Sequence, residues 1–172
     1  GSYDGWWGHD TLPKLNYETS KELFDYIMYV AAKWVSPPYN ADGWRLDVAY
    51  EVAHIFWKEF RRRLKGIRPD ILLLGEIWNH ASQWMCGDEM HTVTNYKFRN
   101  AILEYAQGYL SEKKFWQKID NVRILYKTPM HTYLVNLAGS HDVARLGTVL
   151  KDSESVKLVL LTLLTFQGMP LL

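Results

Sequence analysis

Apolar positions recur with two different periods along this chain, and the alternation between them lays out its plan. Leu23, Tyr26, Ile27, Val30, Ala31 and Trp34 fall at helical spacing. Thr19 or Ser20 can cap that helix, Glu22 sits in its first turn, and Pro37 and Pro38 end it. The stretch from Asp42 to Ala49 brings in Leu46, Val48 and Ala49 and reads as the first strand. Val52, Phe56, Phe60 and Leu64 then make one stripe of a second helix, with Gly66 as its C-terminal cap. After Pro69, Ile71 to Leu74 is continuously apolar and β-favouring, the pattern of a strand buried on both faces of a parallel sheet. The pattern then predicts a loop over 79–90, a short strand over 91–95, and helices over 98–110 and 111–125, the second capped by Ser111. A strand over 132–137, a helix over 153–166 and an apolar strand stub to Leu172 complete the chain. Strands alternating with helices predict an α/β fold with a parallel sheet and right-handed crossovers. No internal repeat, low-complexity tract or linker divides it.

With 172 residues and 48% of them hydrophobic, the chain can bury one core. A formal net charge of +1 gives no basic field for phosphates, which excludes nucleic acid as the main partner. The run Arg61 to Arg63 reads as a solvated helix face. Cys86 is the one cysteine, so there is neither an internal disulfide nor a cysteine cluster for zinc. No apolar run approaches the roughly 20 residues of a membrane span, and no secretory signal is visible. The first residues read as loop and the last as the start of a strand, so both ends read as cut. Localisation stays open between cytoplasm and secretion. Eight Trp and eleven Tyr supply large apolar anchors, and such rings also serve as stacking platforms for sugars. Trp6 and Trp7, in the loop-like first 17 residues, suit either use.

The candidate chemistry sits at strand ends. Arg45 and Asp47 are two apart, so on a strand both side chains share a face. Alone, that pair is equally an internal ion pair. Glu76 and Asp142 change the picture, because Asp47, Glu76 and Asp142 all lie at or near the C-terminal ends of successive predicted parallel strands. That edge is where α/β sheets and barrels hold their sites. Several carboxylates with an arginine, and no thiol or serine triad, suit cleavage of a glycosidic bond. One carboxylate serves as nucleophile or charge stabiliser and one carboxyl as proton donor. Arg45 would keep Asp47 ionised, and desolvation among Leu74, Ile77 and Trp78 would raise the pKa of Glu76. His141 and Asp142 could hold sugar hydroxyls. Metal-assisted hydrolysis is the rival use of Asp, Glu and His. It is disfavoured because none of these residues shows tight ligand spacing and Arg45 would repel a cation.

The same residues carry a resemblance. Gly43-Trp44-Arg45-Leu46-Asp47-Val48-Ala49, Gly75-Glu76-Ile77-Trp78 and Asn136-Leu137-Ala138-Gly139-Ser140-His141-Asp142 resemble three blocks of the alpha-amylase family of glycoside hydrolases, in the family's order and at about its spacing. Leu12-Pro13-Lys14-Leu15-Asn16 resembles a further block from late in that family's inserted B domain. The wording is most similar to the neopullulanase, cyclomaltodextrinase and amylopullulanase branch. The resemblance implies a partial (β/α)8 barrel, about strands four to seven plus the start of the eighth, from a whole of about 250 residues. It implies residues 1–18 as the end of the inserted loop and 19–172 as the C-terminal half of the barrel.

It implies Asp47 as nucleophile, Glu76 as general acid/base and Asp142 as transition-state stabiliser, with Arg45 and His141 as accompanying contacts. Retention then follows, with the Asp47 and Glu76 carboxyls about 5–5.5 Å apart. Tyr50, Glu51, Trp78, Trp6, Trp7 and Lys14 are further candidates for substrate contact. Where the branch commonly has Asn-Glu on the acceptor side, this chain has Tyr50-Glu51, which leaves its fine specificity open. The block that the family carries near the end of its third strand is not in this sequence. No cofactor is expected here; calcium is common in the family, with some of its usual ligands outside this chain. The expected substrates are α-1,4-linked, with α-1,6-linked as an option, glucans: pullulan, cyclodextrins, starch or maltooligosaccharides. The 172-residue piece alone is expected to be inactive and to associate through exposed barrel edges. Two alternatives stay open: a transglycosylase on the same scaffold, and a non-catalytic sugar-binding relative.

Overall fold

The computed structural model describes residues 2–126 and 128–172. Ser20 caps the first helix, α1 (Lys21–Val35), by accepting a hydrogen bond from the Leu23 amide. There follow β1 (Gly43–Leu46), α2 (His54–Ile67), β2 (Leu72–Gly75), β3 (Thr92–Asn95), α3 (Tyr96–Ala106), α4 (Glu112–Leu125), β4 (Val135–Leu137), α5 (Leu146–Val149), α6 (Ser153–Thr165) and β5 (Met169–Leu171). All five strands are parallel, and their order in the sheet is their order in the chain. One core lies where α1 and α2 cover β1 and β2, around Met28, Ala31, Phe56, Phe60, Leu64 and Leu73. A second lies under α3, α4 and α6, around Phe98, Ile102, Phe115, Ile119 and Leu163.

Several expectations are corrected. The first strand is four residues rather than eight, because Val48 turns into the left-handed region (φ 45°, ψ 42°) and bends the chain away after Leu46. On α1 the buried stripe runs through Met28, Ala31 and Val35, with Phe24 against Phe56, whereas Tyr26 and Trp34 face outward. This helix is apolar on more than one side, so periodicity alone could not choose its inner face. Gly66 lies inside α2, and the cap is Arg68, whose amide bonds to Leu64 O. The Arg68 guanidinium also donates to Asn40 O, Ala41 O and the Asp42 carboxylate, fixing the entry to β1. Val52 precedes α2 but still packs on the core. α3 starts two residues earlier than predicted and ends at Ala106, ahead of a turn where Gly108 takes φ 78°.

Two polar devices hold the sheet together. The Asn95 side-chain amide donates to Asn136 Oδ1 at 2.8 Å, and Asn136 Nδ2 donates to Gln167 O at 2.9 Å. This buried rung links β3 and β4 to the entry of β5, while Asn95 Oδ1 caps α3 by accepting from the Phe98 amide. At Gly168 (φ 130°) a Cβ would stand 2.4 Å from Asn136 Nδ2, so only glycine lets the chain pass. On the other side of the sheet, His91 Nδ1 accepts from the Leu73 amide while His91 N–H donates to Leu73 O, both at 3.0 Å. The imidazole thereby stands in for a strand carbonyl beside β2.

Candidate active site

The register sets the site. Leu46 of β1 pairs with Gly75 of β2, so Asp47 and Glu76 emerge side by side, each one residue past its strand. The left-handed turn at Val48 brings its amide to Glu76 Oε2 (3.0 Å), and the Ala49 amide bonds to Glu76 O (3.2 Å). Trp78, two residues on, donates its Nε1–H to Glu76 Oε1 at 2.8 Å. Glu76 is thus buried (4% exposed), with a donor on each carboxylate oxygen, rather than surrounded by apolar atoms alone. Asp142 arrives from the loop after β4, where Ser140 Oγ accepts from the Asp142 amide at 3.2 Å.

Arg45, on β1, stands between the three carboxylates. Its guanidinium is hydrogen-bonded to Asp47, lies 3.4 Å from Glu76 Oε2, and reaches Asp142 Oδ2 at 4.0 Å. Three acids so close would repel one another; one shared cation offsets that repulsion. His141, well exposed, places Nε2 3.2 Å from Asp142 Oδ2. A cavity of about 350 Å³ opens over this group, lined by Trp7, Asp47, Val48, Tyr50, Glu76, Trp78 and Asp142. Burial, reinforced by the Glu51 and Glu76 carboxylates, pushes the Tyr50 phenol up, so it stays protonated. Among the described residues no group of three or more His, Cys, Asp and Glu is arranged to hold a metal ion.

The sequence-predicted residues therefore divide. Asp47, Glu76, Asp142, Arg45 and His141 come together, and Trp7, Tyr50 and Trp78 wall the same cavity. Trp6, Lys14 and Glu51 line a neighbouring polar cleft instead, where Lys14 Nζ meets Glu51 Oε2 at 3.1 Å and lies 4.9 Å from the Trp6 ring centre. One residue went unrecognised as a member of the site. Tyr96 follows β3 as Glu76 follows β2, and its ring stacks on Trp78 with centroids 3.9 Å apart and planes 7° from parallel. Its hydroxyl is hydrogen-bonded to Ser140 Oγ at 3.2 Å. Reading every strand end, rather than only those with carboxylates, would have found it.

Residues 6–172 match the model of the alpha amylase catalytic domain. The chain belongs to the alpha-amylase family. Among its relatives in that family, neopullulanase 2 of Thermoactinomyces vulgaris is 40% identical over 163 residues, covering 94% of this chain and 27% of the relative. A cyclomaltodextrinase of Geobacillus thermopakistaniensis is 41% identical over 161 residues, covering 92% and 27%. The structure of a cyclic alpha-maltosyl-(1→6)-maltose hydrolase from Arthrobacter globiformis with maltose superimposes with a TM-score of 0.92 at 31% identity, covering 99% of this chain and 39% of that one. The alpha-amylase-family chain described here thus spans less than a third of the length of these curated relatives. Its five-stranded parallel sheet is a partial (β/α)8 barrel, as the sequence blocks implied.

Proposed function

We propose that the protein carrying this chain is a retaining glycoside hydrolase of α-glucans such as pullulan, cyclodextrins, starch or maltooligosaccharides. The names of the neopullulanase and cyclomaltodextrinase relatives support that substrate class. The observation that carries the reading is the meeting of three carboxylates, from the ends of three strands, on one arginine in a cavity walled by Trp7, Tyr50 and Trp78. In the first step Asp47 attacks the anomeric carbon. Glu76 gives its proton to the departing glycosidic oxygen, leaving a glycosyl-enzyme. In the second step the Glu76 carboxylate takes a proton from water as that water displaces Asp47. Asp142 accepts hydrogen bonds from sugar hydroxyls as positive charge develops on the ring, with His141 beside it. Arg45 holds the carboxylates in register. Trp7, Tyr50 and Trp78 offer faces to the sugar rings, and Lys14, Glu51 and Trp6 serve the acceptor side. Residues 1–18 are the end of a segment inserted into the barrel.

The test uses the full-length protein. A slow fluorosugar substrate is expected to label Asp47, detected by peptide mass spectrometry, and the first-formed product is expected to keep its anomeric configuration by NMR. Asp47→Asn and Glu76→Gln are expected to lose about two to four orders of magnitude in kcat on maltooligosaccharides. Inverted product and an unlabelled Asp47 would overturn the double displacement. Longer products with added glucose or maltose would make transfer the main reaction.

A further inference from the structure

We propose that Tyr96 is a positioning residue that joins the proton-donating carboxyl of Glu76 to the loop carrying Asp142. The inference rests on the acid/base and stabiliser assignments just made. Tyr96 is 3% exposed and opens α3 at the end of β3, between the strands that deliver Glu76 and Asp142. One arm runs through its ring. Stacked at 3.9 Å and nearly parallel, it closes one face of the Trp78 indole, which is otherwise 39% exposed on a loop. The held indole aims Nε1–H at Glu76 Oε1. With Oε2 already fixed by the Val48 amide, that contact sets the plane of the carboxyl. The other arm runs through the hydroxyl, which meets Ser140 Oγ, the acceptor of the Asp142 amide. Burial raises the phenol's pKa, against the Ser140 hydrogen bond, so the hydroxyl stays protonated beside the carboxylates. Proton delivery and charge stabilisation must coincide in one transition state. A single rigid side chain touching the supports of both keeps their spacing constant.

The two arms are separable by leaving group. An activated aryl glycoside departs with little need of a proton, whereas an alkyl or sugar leaving group needs one. In the full-length protein, Glu76→Gln is expected to lose about 100-fold or more extra kcat/KM on the unactivated substrate relative to the aryl one. Tyr96→Leu, which removes the stacking plane, and Trp78→Phe, which keeps a ring but deletes the donor, are expected to show the same selectivity, reduced to about ten-fold. Tyr96→Phe is expected to lower both substrates equally, and Tyr96→Phe with Ser140→Ala to be no worse than the weaker single variant. Thermal unfolding of each variant identifies any that has lost its fold; Trp78→Phe and the Tyr96→Phe/Ser140→Ala cycle remain decisive if Tyr96→Leu has. Equal losses on both substrates for Tyr96→Leu and Trp78→Phe, or additive losses in the cycle, would overturn the role of Tyr96 while Glu76→Gln still shows its selectivity. Absence of selectivity in Glu76→Gln itself would instead overturn the acid/base assignment.

Discussion

His91 contributes to the sheet as a neutral base. Its Nδ1 lone pair is used by the Leu73 amide, its Nε2 is buried without a partner, and protonation would break the first bond while adding charge near Arg61 and Lys65. Burial, followed by those two cations, lowers its pKa from 6.5 to about 4. Between those values the unfolded chain binds a proton that the folded one does not. The stability His91 contributes is therefore complete above about pH 6.5 and lost as pH falls toward about 4, with a slope of at most about 1.4 kcal/mol per pH unit. Denaturant midpoints of the full-length protein across this window should slope accordingly. His91→Gln, which keeps an acceptor but does not titrate, should flatten the slope by one proton. A slope unchanged in that variant would remove His91 as its source. At this scale the sequence was uneven as a guide. Asp47 and Glu76 were legible because a carboxylate at or near the C-terminal end of a predicted parallel strand has few packing uses. Val48 was not, since a β-branched residue in such a run argues for continued strand, and the left-handed turn it makes is set by the Glu76 carboxylate accepting its amide.

Most elements were legible where a cap or a breaker marked them, although Gly66, which read as the cap of α2, lies inside that helix. Ser20 and Ser111 cap α1 and α4, and the apolar run after Pro69 became β2. Where a turn depended on contacts distant in sequence, the boundaries moved. α5 has four residues, too few for a period to show. Asn95 and Asn136 read locally as ordinary polar residues at strand ends, yet the fold uses them as a buried rung across β3, β4 and the approach to β5. Asn136 is 1% exposed, so Asn136→Ala would strand the Asn95 Nδ2 donor and the Gln167 carbonyl inside the sheet. The expected cost is about 3 kcal/mol, from one to three for each buried group left unpaired. Chemical denaturation of the full-length protein measures it. A loss below about 0.5 kcal/mol would mean that water or a neighbour replaces the rung.

Taken as a whole, this chain by itself leaves much apolar surface open. Trp6, Leu15, Ile27, Trp44 and Phe60 help line a cavity of about 500 Å³ beside β1, and Leu158, Leu161 and Leu164 of α6 face outward. Among the described residues β1 and β5 each pair on one side only. The 172-residue chain alone is therefore expected to self-associate and to show no turnover of maltooligosaccharides comparable with the full-length protein. Light scattering with an activity assay checks both, and a monomer that unfolds cooperatively would contradict the first. One form of that association follows from strand order. The sheet runs in one direction from β1 to β5, so its two free edges differ, and the β1 edge of one copy is matched in polarity by the β5 edge of another. Copies joined in this way are related head to tail, and no two-fold axis pairs like with like. The curvature of the sheet then decides between two outcomes: a rotation that closes gives a ring of fixed stoichiometry, and one that overshoots gives a filament.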